Sequence, residues 1–536
     1  MVDPAKTPPK TGRGNAAWAV GILVLLFAIY NLNGDFLPGN DAKPNVYLAL
    51  SILDEGNMTF TPSEMPFMFV WNLDLGDRSI PIYPRDWNER FDGRTVAELR
   101  AEGRVTVRGE KYYIVPTIRD GIYVSMYGPG AGLAALPAMG LLGSIGGDLA
   151  RRPRALWYAA KGVASILVAG AGAFLFLTAL AFTTRERALL LALAYGLGTS
   201  AWSTSSQTLW QHGPNVFFLA LGTYFLSRLG PGRSAAAWSG LAYACAVTCR
   251  PNSGLLLVAV GVYLLVTHRR HVLAYAAAAT PPLLFLAAFN AYHFGSPLRF
   301  GQTLRGEAEA QTIAGFAGPW QTPLLEGLAG HLVSPSRGLL VFSPFLVFAL
   351  WGAVSIWHNR ACASLRPLTI AVVGILLLSS KWYYWWGGWS FGYRLIVDLA
   401  WFLVLFLVPV LDTILRRKWL VGLFAVLVGC SVGIQVLGAF AYNLRDWNAK
   451  VAGYVVQAPE RGEPEIVPDR EAAERMASST GGRIVNVLRE DVNDPKYRRR
   501  LWSWSDNQIL HYLVQFGEAR RTKREMIRRW LDNPAI

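Results

Sequence analysis

The sequence is poor in charge and in cysteine for its length. Charged residues make up 16% of the 536 positions, whereas a soluble protein of this size carries about 25%. Four cysteines in so long a chain do not form a disulfide framework. Because each cysteine lies in or beside an apolar run, we expect buried free thiols. These shortages argue against a soluble enzyme, a disordered scaffold and a fibre.

Familiar nucleotide and metal signatures are missing as well. The sequence has no phosphate-binding loop, no Gly-x-Gly-x-x-Gly dinucleotide turn and no zinc-ligand spacing. An enzyme made from this chain therefore has to use a donor presented within the membrane. The net charge of +15 does not indicate nucleic acid as a partner, because the surplus Lys and Arg of a membrane protein mostly lie in cytoplasmic loops.

Long apolar runs make up much of the sequence, and 52% of the residues are apolar. A membrane span needs about 20 mostly apolar residues. The runs lie at 16–32, 127–146, 158–182, 187–203, 214–229, 235–249, 252–267, 272–290, 338–357, 366–380, 393–415 and 419–440. The first run follows a basic head (1–15) and has no small-residue cleavage site, which predicts an uncleaved first helix at 16–32 with a cytoplasmic N-terminus.

Basic clusters between the runs predict the topology. If these clusters are cytoplasmic, the polar stretch 33–125 and the tail 441–536 are extracytoplasmic. Twelve full spans would return the tail to the cytoplasm, so we expect either 127–146 or 187–203, both short and rich in glycine, to lie in the interface. The basic segment 517–530 of the tail either lies on anionic lipid or is the solvated face of a small domain.

The predicted fold is an all-α polytopic membrane protein with about 11 transmembrane helices. It has a folded first extracytoplasmic loop at 33–125, a multi-helix transmembrane domain at 126–440 and a small extracytoplasmic C-terminal region at 441–536. The active side is predicted to face the periplasm or exterior of a bacterial plasma membrane.

Two acidic residues follow the first predicted helix, and both are candidates for the chemistry. A carboxylate fixed at the membrane surface by a helix end can act as a general base, which makes Asp35 the catalytic candidate. An ordinary acidic turn or helix cap is the alternative interpretation. Asp41 follows six residues later as a candidate substrate contact.

Two polar residues later in the chain interrupt the apolar pattern. His212, at the outer end of a predicted helix, is either a polar cap or a donor to a phosphate or a sugar hydroxyl. Arg250 breaks an apolar stretch in two. A charge so close to hydrocarbon is costly and indicates a function, unless the side chain snorkels to the lipid headgroups.

Further arginines stand beside the predicted spans on the same side. Arg337 closes a cationic loop, and a planar guanidinium meets phosphate oxygens in pairs, so such loops can hold an anionic lipid head. Arg394 and Asp398 lie one helical turn apart. They form either a simple ion pair or a phosphate clamp in which Asp398 orients Arg394.

The most unusual segment, Lys381–Arg394, has seven aromatic residues before Tyr393 with three glycines among them. An aromatic belt at a membrane interface accounts for one or two such residues in each span. Aromatic faces cover sugars and apolar ligands, and glycine lets the backbone approach closely. The candidate substrate contacts in this segment are Trp385, Trp386 and Trp389.

Taken together, these segments resemble the GT-C superfamily of integral membrane glycosyltransferases, and its bacterial members in particular. The resemblance covers roughly 30–440 and depends on the order and spacing of several motifs. They are Gly34-Asp35, Tyr127-Gly-Pro129, Leu209-Trp-Gln-His-Gly-Pro214, Arg250-Pro251, Phe294-Gly-Ser-Pro297, Ser334-Pro-Ser-Arg-Gly338 and Trp385-Trp-Gly-Gly-Trp-Ser-Phe-Gly-Tyr-Arg394.

The resemblance implies a many-helix fold with its active site at the extracytoplasmic membrane face. It implies a polyprenyl-phosphate-linked sugar as donor, inversion at the anomeric carbon, and Asp35 as the base. Tyr127, in its motif, joins the candidate substrate contacts. Many GT-C enzymes have Asp-x-Asp or paired acids in the first loop, whereas Asp41 stands six residues after Asp35 here. We therefore predict no metal and no other cofactor, with a divalent metal as the alternative.

The function predicted from the sequence is transfer of a hexosyl or pentosyl group to a cell-envelope glycan, a lipid or a protein. Cations stabilise a departing phosphate, and the candidates for that role are Arg250, Arg337 and Arg394. The predicted partners are the lipid-linked donor, the acceptor and membrane lipids. A transporter or lipid flippase is the main alternative, and a non-catalytic membrane assembly factor with a sugar-binding external domain is the second.

Overall fold

The computed structural model of the protein describes residues 13–76, 78–91, 93–149, 151–312, 318–458 and 464–532. Most of the predicted cytoplasmic head (1–15) lies outside the described residues. The described chain is mainly helical, with two polar regions that contain short strands, and these regions flank the helical part in sequence.

The chain starts with an apolar helix and then forms the first polar region, residues 33–125. Its antiparallel strands build one three-stranded sheet in the order β2–β1–β5 and two small ladders, β3–β4 and β6–β7. The elements are α1 (Arg13–Asn31), α2 (Lys43–Asp54), β1 (Phe69–Asp74), β2 (Ser79–Ile82), β3 (Arg90–Phe91), β4 (Arg94–Thr95), α3 (Val96–Ala101), β5 (Val105–Glu110), β6 (Ile114–Pro116) and β7 (Tyr123–Ser125).

Local sequence explains the folding of this region. Buried and half-buried residues alternate along β1 until its exposed last residue, as expected for a strand with one face on a core. Trp71 is buried in this strand, and its indole N–H donates to the carbonyl oxygen of Pro66 at 2.9 Å. Helix α3 begins with a capping box, in which Thr95 and Glu98 each accept from the backbone N–H of the other.

The helical part of the chain corresponds to the apolar runs of the sequence. Its helices are α4 (Gly130–Gly146), α5 (Pro153–Ala179), α6 (Arg185–Gly198), α7 (His212–Leu226), α8 (Ser234–Cys249), α9 (Gly254–Thr267), α10 (Arg269–Phe294), α11 (Gly301–Thr312), α12 (Leu324–Val333), α13 (Leu339–Phe342), α14 (Val347–His358), α15 (Arg366–Lys381), α16 (Leu399–Leu405), α17 (Val408–Arg416) and α18 (Lys418–Phe440).

Among the described residues, five helices are long and apolar enough to cross a membrane. They are Gly14–Asn31, Pro153–Ala179, Arg269–Phe294, Arg360–Lys381 and Lys418–Phe440. A sixth span results if α16 and α17, which meet at a bend of 54°, cross the membrane together. The chain is therefore a multi-pass membrane protein. The number of about 11 spans, and the choice between 127–146 and 187–203 as an interfacial segment, stay predictions.

The bend between α16 and α17 has a local cause. Pro409 is the second residue of α17 and has no backbone N–H, so the carbonyl oxygen of Leu405 lacks its helical partner. The bend follows directly after the segment that carries Arg394 and Asp398. Because α16 is buried along almost its whole length, it holds that segment against the helix bundle.

The second polar region, which follows α18, contains a three-stranded antiparallel sheet in the order β10–β8–β9 and three helices. The elements are β8 (Ala449–Gln457), β9 (Glu465–Val467), α19 (Arg470–Thr480), β10 (Arg483–Asp491), α20 (Gln508–Val514) and α21 (Phe516–Asp532). The prediction of an all-α chain is thus wrong for both polar regions, which contain antiparallel sheets; in the first region a two-residue alternation of burial along β1 favours a strand.

The described chain has no disulfide bond, and all four cysteines are free thiols. Cys249 and Cys362 are buried as expected, and Cys245 is partly buried. Cys430 is exposed, so the expectation of a buried thiol is wrong there. The reason is its position on α18, where several apolar side chains lie on the outer surface of the bundle rather than in its core.

Candidate functional site

The segment after α1 and the segment before α7 lie side by side and form the base of the candidate site. Gln207 accepts a hydrogen bond from the side chain of Asn33 at 2.7 Å, and its carbonyl oxygen accepts from the Leu37 N–H at 3.0 Å. The side chain of Asn45 donates to the carbonyl oxygen of Leu209 at 3.0 Å. These bonds fix the loop that carries Asp35 and Asp41 along the irregular run 207–212, which leads into α7.

Asp35 lies at one end of this run, in a group of cationic side chains. Its Oδ2 atom is buried and accepts no hydrogen bond from the described residues. The Nε atom of Arg524 lies 3.8 Å from that oxygen. The ammonium of Lys161 donates to the backbone carbonyl of Asp35 and to the Asn33 side chain. A carboxylate in this position has a free lone pair with which it can accept a proton.

Asp41 lies near the middle of the run and forms an ion pair with Arg394. The guanidinium of Arg394 stacks over Trp210, with its Cζ atom 4.7 Å from the ring centroid. Gly39 is essential to this packing, because a Cβ atom there would lie 2.8 Å from Trp210 Nε1 and 3.0 Å from Asp41 Oδ1. Because Gly39 has no side chain, Asp41, Arg394 and the Trp210 ring can pack against one another.

Asp398 lies at the other end of the run, where it binds two of the predicted site residues. Its Oδ2 atom accepts from Arg250 and lies 3.4 Å from Nδ1 of His212. Arg250 also donates to the carbonyl oxygen of Leu395 at 3.1 Å. Arg250 is thus a buried member of an ion pair and does not extend towards lipid headgroups. Arg394 and Asp398 each pair with a different residue instead of with each other.

The three groups lie within reach of one another. Gln207 contacts the Asp35 group, Trp210 contacts Arg394, and His212 contacts Asp398. The five Cα–Cα steps from Gln207 to His212 span at most about 18 Å even when fully extended. The acid near the start of the chain and the arginines far downstream therefore meet on one face of the helical part.

Tyr127 and its glycine–proline motif pack beside Arg250. A Cβ atom on Gly128 would lie 2.0 Å from the carbonyl oxygen of Thr248, so the motif touches the end of α8 directly. The ring of Tyr127 is buried, with the ring of Tyr113 6.1 Å away. Burial raises the pKa of Tyr113 to about 12, with Asp41 adding to the effect. Both phenols therefore remain neutral donors near the Asp41–Arg394 pair.

Arg337 lies deeper than the other arginines and is almost fully buried. Its guanidinium donates to the carbonyl oxygens of Ser336, Trp386 and Gly388 and to the side chain of Asn448, at 2.8–3.0 Å. Four of its five N–H groups are thus used within the protein. The phosphate-binding role predicted for Arg337 stays a prediction, and its visible contacts hold the loop between α15 and α16.

The aromatic segment Lys381–Arg394 packs against the second polar region. The indole N–H of Trp386 donates to Asn493 at 3.0 Å, and that of Trp389 donates to Asp491 at 2.8 Å. The ring of Trp385 lies 5.5 Å from that of Trp502. The substrate-binding roles predicted for these three tryptophans stay predictions. Their contacts make the segment a platform for the end of the chain.

The sequence analysis missed two lysines of the Asp35 group. Lys161 interrupts an apolar run of α5, and an ionisable residue inside a membrane segment is a functional candidate by default. Lys523 is hidden among many basic residues, but it lies on the apolar face of α21 and burial lowers its pKa to about 8. In the described part of the chain, no three His, Cys, Asp or Glu side chains gather closely enough to ligate a metal ion.

Comparisons with known proteins add little to this geometry. No protein-family model matches the chain, and no curated protein matches it. Among solved structures, the archaeal oligosaccharyltransferase AglB from Archaeoglobus fulgidus, in complex with an inhibitory peptide and a dolichol-phosphate, is similar with a TM-score of 0.46 and 12% sequence identity. The similarity covers 80% of this chain and 56% of AglB, so the chain spans little more than half of that protein's length.

Proposed function

We propose that this protein is a membrane glycosyltransferase that moves a sugar from a polyprenyl-phosphate-linked donor to an extracytoplasmic acceptor, with inversion. The observation that carries the proposal is the placement of a carboxylate whose Oδ2 accepts no hydrogen bond from the described residues, together with the buried Arg250 and the partly buried Arg394, along the run 207–212. A base next to cations that stabilise a phosphate leaving group is the arrangement that such a transfer needs.

In the proposed reaction, Asp35 takes the proton of an acceptor hydroxyl. The acceptor oxygen attacks the anomeric carbon, and the bond from that carbon to the phosphate oxygen breaks on the opposite side. The electron pair leaves with the polyprenyl phosphate, which needs no proton if cations stabilise it. Asp35 suits the role of base better than Asp41, because the Asp41 carboxylate accepts a hydrogen bond from Arg394, whereas Oδ2 of Asp35 accepts none from the described residues.

Arg250 and Arg394 are the proposed contacts of the departing phosphate. Each makes two hydrogen bonds to described residues, so three of the five N–H groups of each guanidinium remain for phosphate oxygens. Asp398 and Asp41 hold the two guanidinium groups in place before the donor binds. Arg337 acts on the same site by holding the aromatic segment.

His212, Asp41 and Tyr127 line the proposed substrate space and orient the sugar or the acceptor. His212 is buried and Asp41 is partly buried beside the run 207–212, while Tyr127 brings a neutral hydroxyl. The donor's isoprenoid lies between apolar helices open to the bilayer. On the side of the second polar region, the proposed substrate space is bordered by Trp385, Trp386 and Trp389.

Replacing the proposed base tests the function directly. We expect Asp35→Asn to lower transfer by a factor of about 10²–10⁴, the usual contribution of a general base, while the protein still folds. The purified protein is incubated with polyprenyl-phosphate sugars and extracytoplasmic acceptors, and product is measured by mass spectrometry. Asp54→Asn is the matched control, because Asp54 is an exposed carboxylate at the end of α2. We expect this variant to keep full activity.

Full activity in Asp35→Asn would remove this residue as the base. If the wild-type protein forms no product with any donor but moves lipid-linked sugar across liposomes, the proposed transfer is replaced by transport. If neither product nor movement is found, a non-catalytic role in envelope assembly takes its place.

A further inference from the structure

The turn that carries Asp35 lies against one face of α5. This turn, residues 33–36, is called the Asp35 turn below, and Gly34 in it has a φ of +67°, which lets the chain turn directly after α1. Three side chains within about one helical turn of α5 contact it: Trp157, Tyr158 and Lys161. Because α5 is a long and mostly buried helix, it gives the Asp35 turn a rigid support.

Two side chains of α5 hold two successive backbone carbonyls of the Asp35 turn. The hydroxyl of Tyr158 donates to the carbonyl oxygen of Gly34 at 3.0 Å, and the ammonium of Lys161 donates to the carbonyl oxygen of Asp35. The first carbonyl belongs to the peptide group before Asp35, and the second belongs to the peptide group after it. Since a peptide group is planar, anchoring both groups fixes the backbone of Asp35 and the direction of its Cα–Cβ bond.

Lys161 uses all of its hydrogen-bonding capacity for this support. Its side chain is 2% exposed, and its ammonium also donates to the side-chain oxygens of Asn33 and Gln207. An ammonium has three N–H donors, and each of them has an acceptor here. The Oδ2 atom of Asp35 accepts no hydrogen bond from the described residues. The contacts therefore fix the backbone and leave this carboxylate oxygen available for a proton.

The residue after Asp35 packs on the same face of α5. The ring of Phe36 is buried and stacks on that of Trp157, with 6.0 Å between the centroids, and it meets the Tyr158 ring edge-on at 5.4 Å. Tyr158 thus holds the Asp35 turn through its ring and through its hydroxyl. Removing the hydroxyl alone leaves the ring contact in place.

We propose that Tyr158 and Lys161 are positioning residues for the transfer reaction, because they anchor both peptide groups that flank Asp35 and so fix the place from which its carboxylate reaches the acceptor. This inference rests on the proposed function, in which Asp35 is the base. A general base has to lie within hydrogen-bond reach of the proton that it takes, and a displacement of about 1 Å can lower a rate by about 100-fold. Neither residue belongs to the proposed phosphate contacts, Arg250 and Arg394.

Tyr158→Phe tests this role with a small change, because the side chain is exposed and its ring stays on Phe36. Initial rates of the full-length protein in detergent are measured with a polyprenyl-phosphate sugar that gives product, at varied donor concentration. We expect kcat to fall by about three- to tenfold, the change that corresponds to one lost hydrogen bond. The KM for the donor stays at its wild-type value, because the phosphate contacts are unchanged.

A stronger variant and a matched control complete the series. Lys161→Met removes three hydrogen bonds at once, and we expect it to lower kcat by about 100-fold. Tyr275→Phe is the control, because it removes a phenol-to-carbonyl hydrogen bond of the same kind, to Leu257 at 2.8 Å, between α10 and α9. The control keeps the wild-type kcat. A wild-type kcat in Tyr158→Phe would overturn the proposal.

Combination with Asp35→Asn separates positioning from a general loss of structure. If Tyr158 acts through the carboxylate of Asp35, Tyr158→Phe has no further effect on the residual rate of Asp35→Asn, since residues that act as a unit are not additive. A decrease by the same factor in both backgrounds would refute the positioning role.

Hydrogen exchange measures the anchoring without any substrate. The backbone amides of Gly34 and Leu37 are hydrogen-bonded, so the Asp35 turn has protection to lose. We expect faster exchange over residues 34–37 in both variants of α5 and wild-type exchange in the control. Unchanged exchange in both variants would also overturn the proposal. Faster exchange in a protein that transfers no sugar keeps the anchoring by α5 and refutes the enzyme.

Discussion

At the scale of single residues, the site depends on two ion pairs whose side chains are largely shielded from water. The Asp41–Arg394 pair is covered by the Trp210 ring, and the Arg250–Asp398 pair is closed by His212. Removing one member of the buried Arg250–Asp398 pair leaves the other charge without its partner, which costs about 3–5 kcal/mol, and the partly buried Asp41–Arg394 pair is less costly to break. These residues therefore determine folding as well as chemistry, and a test of the chemistry has to leave the pairs intact.

Gly39 allows a test that removes neither charge of a pair. Gly39→Ala places a methyl group against Trp210 Nε1 and Asp41 Oδ1 and shifts the ring away from Arg394. A cation–π contact in a desolvated place is worth about 1–2 kcal/mol, so we expect the transfer rate to fall by about 5–30-fold. Gly433→Ala on α18, where a Cβ atom meets no other atom within 4 Å, serves as the control. Unchanged kinetics in Gly39→Ala would show that the stacking on Arg394 has no part in the reaction.

At the scale of elements, much of the helical part could be predicted from the sequence. Apolar runs such as 158–182 and 419–440 correspond to α5 and α18, because a helix that satisfies its own backbone is the solution for an apolar segment in lipid. Residues such as Asp35, Arg250 and Arg394 could be selected because charge beside an apolar run is costly and therefore conspicuous.

The partners of these residues could not be predicted in the same way. Arg394 pairs with Asp41 rather than with Asp398, its neighbour one turn away, because a bundle joins residues that lie hundreds of positions apart. The lysine of α21 could have been found from its spacing of four residues to Ala519 and Ile527, which marks an apolar face. No local sequence pattern indicates that Lys523 lies close to Asp35.

The aromatic segment shows why contacts between elements matter here. Trp386 and Trp389 each donate an indole N–H to the second polar region, at Asn493 and Asp491. Asn493→Ala leaves the Trp386 donor without its partner, and a lost hydrogen bond of this kind costs about 1–3 kcal/mol. We expect faster hydrogen exchange in Lys381–Arg394 while α5 remains protected. Asn486 on β10 has an exposed side chain, so Asn486→Ala serves as the control and leaves the exchange unchanged. Equal exchange rates in the two variants would contradict the role of the segment as a platform.

At the scale of the whole molecule, the two polar regions touch each other. Arg85 donates to the carbonyl oxygen of Asp532 at 2.7 Å, and the ammonium of Lys43 lies 4.0 Å above the ring of Trp530. Segments in direct contact lie on one side of a bilayer. The first polar region and α21 are therefore on the same side, and the extracytoplasmic location of both stays a prediction.

Labelling with a membrane-impermeant maleimide tests this arrangement. In a protein whose exposed Cys430 is replaced by Ser, we expect Arg78→Cys in the first polar region and Arg528→Cys on α21 to react together from the outside of intact cells or spheroplasts. Arg417→Cys, just before the apolar helix α18, reacts after the membrane is opened. Labelling of only one of the first two cysteines from the outside would refute the shared side.

The contact between α21 and the Asp35 group has a consequence for biosynthesis. The acid is made early and its cationic neighbours Lys523 and Arg524 are made near the end of the described chain, so the centre is incomplete during most of translation. A chain that stops before Lys523 therefore leaves Asp35 without two of its cationic neighbours.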